Sequence, residues 1–499
     1  MKDSKILSIP ALLFMFSLGL RLALIRNGPY DVDCLNLAIQ SEKTLETFKL
    51  YNLFGSGYPL TVLLGAIFIS LTKLFSITDI VFAVNLMSVV TSSFCVIVLY
   101  FLVRKLFDSR TAFLASIIFS VCPIFLDISL FGMSHAPSLL FLLMALLCLI
   151  HYKENFSFKY LFLSGLCLGL TGAARLQDLI VVGLPISFLM LVNLYQTSHP
   201  VPIVKKLKTL LLFWLIALTI TLLLHLPLFF NPEIHYKDQI IAYWKTNYMV
   251  RESFMEVLII NFIFLKENFT LIGLIVAGLG LISLAKNKLA IGLFCFLWIL
   301  VPLYCYGRLY ISAPRFDTIF LPALIIPQSY FLAQFMKKNK LFLKTALVVF
   351  FIIAFIPFLT LIEQFVLHHQ YALIPRFAQW VNQSTEPNAL IIAADEGLFI
   401  EYYSHRQILY RPTNSFHIEE KELVEFQNTL NGILNQNIPV YFTYTGFLDY
   451  DPNAQFTSFI EKNYILGRPK SLTPYATWHQ SPFFNELFAN GLIKITNKR

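Results

Sequence analysis

The chain has 499 residues, of which 57% are hydrophobic and only 13% charged, and its mean hydropathy is +0.68. Such a composition excludes an ordinary water-soluble globule and makes a bilayer the solvent for most of the chain. The net charge of +9 would point to nucleic acid in a soluble protein, but here the basic residues sit between apolar segments, so no nucleic-acid partner is expected.

Apolar stretches of roughly 17–25 residues, enough to cross about 30 Å of hydrocarbon as helices, recur from residue 6 to residue 366. The first, 6–26, follows MKDSK and has no small-residue cleavage site behind it, which predicts a retained signal anchor. The others are 80–103, 111–131, 136–152, 160–175, 177–195, 209–230, 271–285, 289–305, 317–335 and 345–366. Alternate connections hold the clustered basic residues. They are Lys2 and Lys5; Arg104, Lys105 and Arg110; Lys153 and Lys159; Lys205, Lys206 and Lys208; Lys286 and Lys288; and Lys337, Lys338, Lys340 and Lys344. The positive-inside rule puts all six groups in the cytoplasm.

Residues 59–75, PLTVLLGAIFISLTKLF, are apolar and nearly long enough to span. A crossing there would carry every later basic loop outside, so the segment is expected to be an interfacial or re-entrant helix on the outer face. Eleven spans then put the N-terminus in the cytoplasm and the C-terminus outside. The competing count is twelve spans with 367–499 in the cytoplasm. Most of the seven cysteines fall within spans, where they serve as small apolar residues, and 367–499 has none, so no disulfide framework is implied.

After residue 366 the pattern changes. Short β-rich runs, NALIIAAD (388–395) and IPVYFTYT (438–445), are set among amphipathic segments such as KELVEFQNTLNGIL (421–434). The expected fold is an all-α polytopic membrane domain over 1–366, with an outer first loop at 27–79, followed by a small extracytoplasmic α/β domain at 367–499. The latter shows no phosphate loop, GxGxxG or zinc-ligand spacing.

Ionisable residues are costly in a membrane protein and so guide the search for function. Asp31 and Asp33 follow the first span, where a carboxylate could act as a general base or the Asp-x-Asp pair could hold a divalent cation. His135 stands at the mouth of a span, Arg175 and Asp178 lie in TGAARLQDL, and Arg308, Arg315 and Asp317 lie in YGRLYISAPRFDTIFLP. Arginine forks suit phosphate recognition. Plainer roles exist for each: a helix cap for Asp33, the start of a helix for His135, snorkelling anchors for the arginines and an ion pair between Arg315 and Asp317. Taken together, acids in the first outer loop and cations on later ones make a base for an acceptor and a clamp for a phosphorylated, membrane-borne donor.

This arrangement resembles the GT-C class of polyprenyl-phosphate-sugar glycosyltransferases, in the branch that holds protein mannosyltransferases and the lipid A aminoarabinose transferase. The resemblance covers roughly residues 1–366. Asp33 matches the first acid of that branch's Asp-Glu pair, while Cys34 replaces the glutamate, and Asn36 or Leu37 and Ala38 occupy the Tyr and Ala positions. Gly57-Tyr58-Pro59-Leu60 is similar to the proline-containing start of the family's juxtamembrane helix, and Arg104 to Arg110 to its basic turn. GLCLGLTGAARLQDLIVVGLP resembles the glycine-rich span ending in a basic residue, here Arg175, and PRFDTIFLPALIIP the late Arg-aromatic segment, here Arg315. Where the family often has an aspartate at the start of the fourth span, this chain has Ser134-His135-Ala136-Pro137.

The resemblance implies an inverting glycosyltransferase in a bacterial-type inner membrane. It would move a sugar from a polyprenyl-phosphate donor to a glycan, lipid or protein acceptor on the outer face. Asp33 would be the base, Asp31 its support, and Arg175, Arg308, Arg315 and His135 the donor-binding residues. A flippase or transporter for lipid-linked glycans is the rival, and would need midplane polar residues and internal repeats that are not visible. A catalytically inactive relative is a second rival, which the loss of the acid at Cys34 keeps open.

Overall fold

The computed structural model describes residues 4–25, 28–29, 32–53, 55–195, 202–247, 253–308, 314–337, 359, 373–394, 396–412, 418, 420–448, 454–471 and 491–497. The chain divides into two compact units: Met1–Arg26 with Leu37–Val366, and Asn27–Asn36 with Leu367–Arg499.

The first unit is helical. Its elements are α1 (Ser4–Leu24), most of α2 (Val32–Thr47), α3 (Pro59–Leu74), α4 (Ile80–Leu106), α5 (Ser109–Ser120), α6 (Pro123–Ile128), α7 (His135–Asn155), α8 (Phe158–Ala174), α9 (Leu176–Tyr195), α10 (Ile203–Phe230), α11 (Tyr236–Asn247), α12 (Phe254–Asn287), α13 (Leu289–Gly307), a 310 helix (Pro314–Phe320) and α14 (Leu321–Lys337). Seven described helical stretches are long and apolar enough to cross a membrane: α4, α7, α9, α10, Phe269–Asn287 of α12, α13 and Arg315–Lys337. The expected spans 6–26, 111–131 and 160–175 fall on shorter apolar helices, and 345–366 lies outside the described residues. The 59–75 segment forms α3, 16 residues long.

The expected span 111–131 is two helices. Pro123 has no N–H to continue α5 and its ring excludes Cys122 from helical geometry, so Cys122 is extended (φ −60°, ψ 122°) and α6 starts afresh with Pro123 as its first residue. A second interruption falls inside α12 at Thr270 (φ 58°, ψ 161°), whose hydroxyl accepts from the Gly273 N–H at 3.3 Å and so caps the helix that follows.

The loops that basic residues assign to one side of the membrane meet one another. Lys105 pairs with Glu154 at 2.9 Å and Lys337 with Asp108 at 3.2 Å, while Lys288 donates to the Leu106 carbonyl at 2.7 Å. At the other end of the helices, Gln177 at the start of α9 donates to the Ser56 hydroxyl at 3.2 Å. The Tyr236 hydroxyl donates to the Ser56 carbonyl at 3.1 Å, and Asn231 to the Leu50 carbonyl at 2.9 Å. Charge alternation along the sequence and contact in space therefore sort the connections into the same two groups.

Helix α8 packs closely on α10 because its glycines permit it. A Cβ at Gly169 would lie 2.6 Å from the Ala217 carbonyl oxygen and 2.7 Å from the Ile220 Cβ, and the Thr221 hydroxyl donates across the interface to the Gly169 carbonyl at 3.0 Å. In lipid, where apolar burial drives no association, such close backbone approach supplies the packing.

The second unit is built on a six-stranded sheet in the order β2-β1-β3-β6-β4, with β5 also paired to β6. The strands are β1 (Leu390–Ala393), β2 (Gln407–Tyr410), β3 (Val440–Thr443), β4 (Tyr464–Leu466), β5 (Lys470–Ser471) and β6 (Gly491–Asn497). Strand β1 is parallel to β2 and β3, and β6 runs antiparallel to its three partners. Both β-rich runs read from the sequence are central strands, buried along their whole length. One face carries Ile392, Phe442, Phe426, Phe456 and Ile495 and the other Ile391, Tyr441, Val381, Ile400 and Leu492, as expected of parallel strands covered on both sides. At the surface, burial opposes ionisation of Glu386, but the Lys494 ammonium at 2.9 Å and the Tyr441 hydroxyl at 2.8 Å hold its carboxyl down at about 2.

Gly169→Ala should lower the thermal midpoint of the detergent-solubilised protein, because overpacking of this kind costs on the order of 1–3 kcal/mol. Gly278→Ala, where a Cβ meets nothing within 4 Å, should be neutral or slightly stabilising through helix propensity. Equal midpoints for the two variants would show that the α8–α10 interface can relax around a methyl group.

Candidate functional site

The turn before α3 begins the site. Gly57 has φ 95°, and a Cβ there would lie 2.7 Å from the Tyr236 hydroxyl, so the position needs glycine both for its backbone and for its space. Tyr58 caps α3 in the left-handed region (φ 54°, ψ 47°), a strained conformation for a bulky residue, and Pro59 then begins the helix. The turn buries Tyr58 with its hydroxyl in hydrogen-bonding reach of Arg175.

Arg175 occupies the break between α8 and α9. Its backbone is extended (φ −160°, ψ 102°), which turns the side chain into the protein, where it is only 4% exposed. Asp178, in the first turn of α9, lies 3.5 Å from it. The same carboxylate accepts from the Ser138 hydroxyl of α7 at 2.6 Å and from the Tyr306 hydroxyl of α13 at 2.5 Å. The position also suits an acid on electrostatic grounds, since a helix N-terminus favours negative charge. The guanidinium nitrogen that faces Asp178, Nη1, also meets the Nδ1 of His135, the first residue of α7, at 2.6 Å. Its guanidinium lies 4.8 Å from the ring centre of Phe316 and 5.6 Å from that of Tyr306.

Phe316 is the shared surface of this cluster. His135 stacks on it at 6.1 Å, Tyr306 leans on it at 5.2 Å, and the Arg315 guanidinium lies 5.9 Å from its centre. The structure thus brings together His135, Arg175 and Arg315, all singled out in the sequence, with Asp178 as the carboxylate in their midst. The alternative partner for Arg315 does not hold, because Asp317 is buried and forms no ion pair among the described residues. Arg308 follows α13 and rests on Tyr304 one turn back, at 5.7 Å from its ring and 3.1 Å from its hydroxyl.

Asp33 stands in the first turn of α2, half-buried, within the stretch that groups with the second unit. Asp31 lies outside the described residues. Among the described residues no group of three His, Cys, Asp or Glu side chains converges as a cation site.

Three members of the cluster escaped the sequence: Ser138, Tyr306 and Phe316. Ser138 and Tyr306 are polar residues near the ends of otherwise apolar helices, and a search of span ends for hydroxyls as well as charges would have found them. Phe316 carries no such signal.

Residues 61–225, a third of the chain, match the model of the dolichyl-phosphate-mannose-protein mannosyltransferase family. No curated protein sequence matches the chain. Among solved structures, the chain superposes on ArnT from Cupriavidus metallidurans bound to undecaprenyl phosphate. The TM-score is 0.57 at 11% identity, covering 98% of this chain and 97% of that one. The same protein in the apo state gives a TM-score of 0.59 at 13% identity, over 99% and 98% of the two chains. The oligosaccharyltransferase AglB from Archaeoglobus fulgidus, solved with an inhibitory peptide and a dolichol-phosphate, gives 0.60 at 13% identity, over 93% of this chain and 73% of that one. These findings define the fold as GT-C, the architecture of membrane glycosyltransferases that use lipid-linked sugars, and bear out the resemblance seen in the sequence. Within that class, the segment from α3 to α10 is the part that matches the mannosyltransferase family.

Removing the carboxylate at Asp178 leaves a guanidinium buried without its counter-charge, a change that costs about 3–5 kcal/mol in comparable pairs. Asp178→Ala should therefore depress the thermal midpoint strongly, Tyr306→Phe should do so by a single hydrogen bond of about 1 kcal/mol, and the double variant Arg175→Met with Asp178→Leu should recover much of the loss. A double variant no better than Asp178→Ala would mean that Arg175 is held mainly by its aromatic and histidine neighbours.

Proposed function

We propose that the chain is an inverting glycosyltransferase of the inner membrane, moving a sugar from a polyprenyl-phosphate donor to an acceptor on the outer face. The observation that carries this reading is the convergence of Arg175, Arg315 and His135 around Phe316, at the helix ends remote from the basic loops, in a chain with the GT-C fold. The positive-inside rule places those ends outside and the N-terminus in the cytoplasm. The donor's phosphate is met there by cations and an imidazole in a largely water-excluded site, where preorganised charge is worth most. Two of the structures superposed above hold a polyprenyl or dolichol phosphate, which supports a donor of this class.

In the proposed step the acceptor oxygen attacks the anomeric carbon opposite the phosphate. Asp33 takes the acceptor's proton, and the bond from anomeric carbon to phosphate oxygen breaks with its electron pair passing to the phosphate. Arg315 and Arg308 carry the developing charge, and Arg175 contributes to the field from its buried seat. Asp31 supports Asp33 or, with it, holds a divalent cation. The α/β unit grips the acceptor, which is a glycan, lipid or protein.

Transfer assays on purified protein in detergent, with a panel of polyprenyl-phosphate sugars, test the reading. Asp33→Asn should lower turnover by roughly 10²–10⁴-fold, the usual share of general base catalysis, while donor affinity stays near that of the parent. A capping aspartate would behave otherwise, since asparagine caps about as well, and normal turnover would return Asp33 to that role.

The orientation is tested separately with fusions. Alkaline phosphatase placed after residue 499 should be active and the same enzyme inserted at Lys206 inactive; the reverse pattern would sink the proposed topology.

A further inference from the structure

The contact between Arg175 and His135 fixes a proton as well as a distance. A guanidinium is always ionised and has only N–H groups to offer, so at 2.6 Å the imidazole Nδ1 must supply the lone pair. A ring turned over would set a C–H against the guanidinium, and a doubly protonated ring would set donor against donor. His135 is therefore neutral, with its one proton on Nε2. Asp178 lies 3.5 Å from the same guanidinium nitrogen and keeps its charge countered.

The Nε2–H so created has no partner among the described residues. The side chain as a whole is 4% exposed, yet its Nε2 is not sealed off as the Nε2 of His225 is, so an acceptor entering the site can reach it. The ring is also fixed in direction, resting on Phe316 with an interplanar angle of 30°. Arg315 rests on the same Phe316, close enough for its charge to act on the imidazole. An oriented neutral N–H beside a guanidinium that itself flanks the ring is a two-point recognition unit for an anionic oxygen.

We propose that His135, fixed by Arg175 as the Nε2–H tautomer, donates a hydrogen bond to a phosphate oxygen of the lipid-linked donor. This rests on the donor-phosphate reading of the site given above. The proton stays on Nε2 throughout: the acceptor's proton leaves to Asp33 and the electron pair of the breaking bond goes to phosphate. His135 strengthens its hydrogen bond as that oxygen gains charge, without transferring anything.

The test uses the full-length protein in detergent with polyprenyl monophosphate as probe. His135→Gln sets an amide near the position of Nε2 and keeps a donor there; His135→Asn sets one near Nδ1, satisfies Arg175 and leaves the Nε2 position empty. Binding by the Gln variant within about threefold of the parent, and by the Asn variant weaker by about tenfold or more, is the expected result. An Asn variant that binds as well as the parent, or better than Gln, would overturn the proposal by showing that only the Arg175 contact matters. Nitrogen NMR of histidine-labelled parent protein should assign His135 to the Nε2–H form at neutral pH, and a proton on Nδ1 would overturn it whatever the variants do. Competition by phosphatidylglycerol micelles or by inorganic phosphate as effective as the probe itself would overturn it in favour of a general phosphate site. Failure of the parent to bind polyprenyl monophosphate at all would instead overturn the donor-phosphate reading beneath it.

Discussion

Arg175 is enclosed by protein at the junction of two helices, and a guanidinium in that position is tolerable only because Asp178 stands one helical turn away with its negative charge at the start of α9. The rest of the cluster follows from that pair. Asp178 has lone pairs left over, which Ser138 of α7 and Tyr306 of α13 fill, so one carboxylate fastens three helices at the same end of the bundle. The Arg175 guanidinium in turn meets His135 and reaches Tyr58, while its Nε has no partner among the described residues. A network of this kind is high-stakes in a low-dielectric interior. Satisfied, it fixes a single arrangement of helix ends, and with one member missing it leaves a charge buried alone.

How much of this the sequence disclosed depended on whether the signal was local. Segment type was legible because hydrophobic length and basic clusters are properties of contiguous residues. Lys105 to Glu154 and Lys337 to Asp108 confirm in space the grouping that the basic loops show in sequence. Span 111–131 was misjudged as one helix because composition sees apolar length, while the break comes from the geometry of Cys122 before Pro123. His135, Arg175 and Arg315 were legible as ionisable residues at helix ends. Their partners were not: Tyr306 reaches Asp178 across a large gap in sequence, and nothing near either residue records the meeting.

The glycines illustrate the same limit. Gly57 and Gly169 look alike in sequence but answer to different constraints. Gly57 needs a positive φ and room for the Tyr236 hydroxyl, whereas Gly169 is helical and needs only room for Ala217 and Ile220 of α10. The turn at Gly57 and Tyr58 is a place where the local backbone preference is overruled, and it is also where the first loop delivers a phenol to the buried arginine. Strain of this kind persists where the surroundings over-determine it, and here the strained Tyr58 is buried with its hydroxyl in reach of Arg175.

The proposed reaction also accounts for why no compact motif marks the site. Displacement with inversion needs a base on one side of the anomeric carbon and charge stabilisation on the other, so one short segment cannot supply both. The residues assigned to the phosphate come from α7, the α8–α9 junction, the end of α13 and the 310 helix before α14, and the Asp178 network and Phe316 link all of them but Arg308. The residue assigned to the proton comes from the first turn of α2, in the stretch that groups with the α/β unit. The cluster around Arg175 is the part of that division that a single carboxylate, Asp178, ties together across α7, α9 and α13.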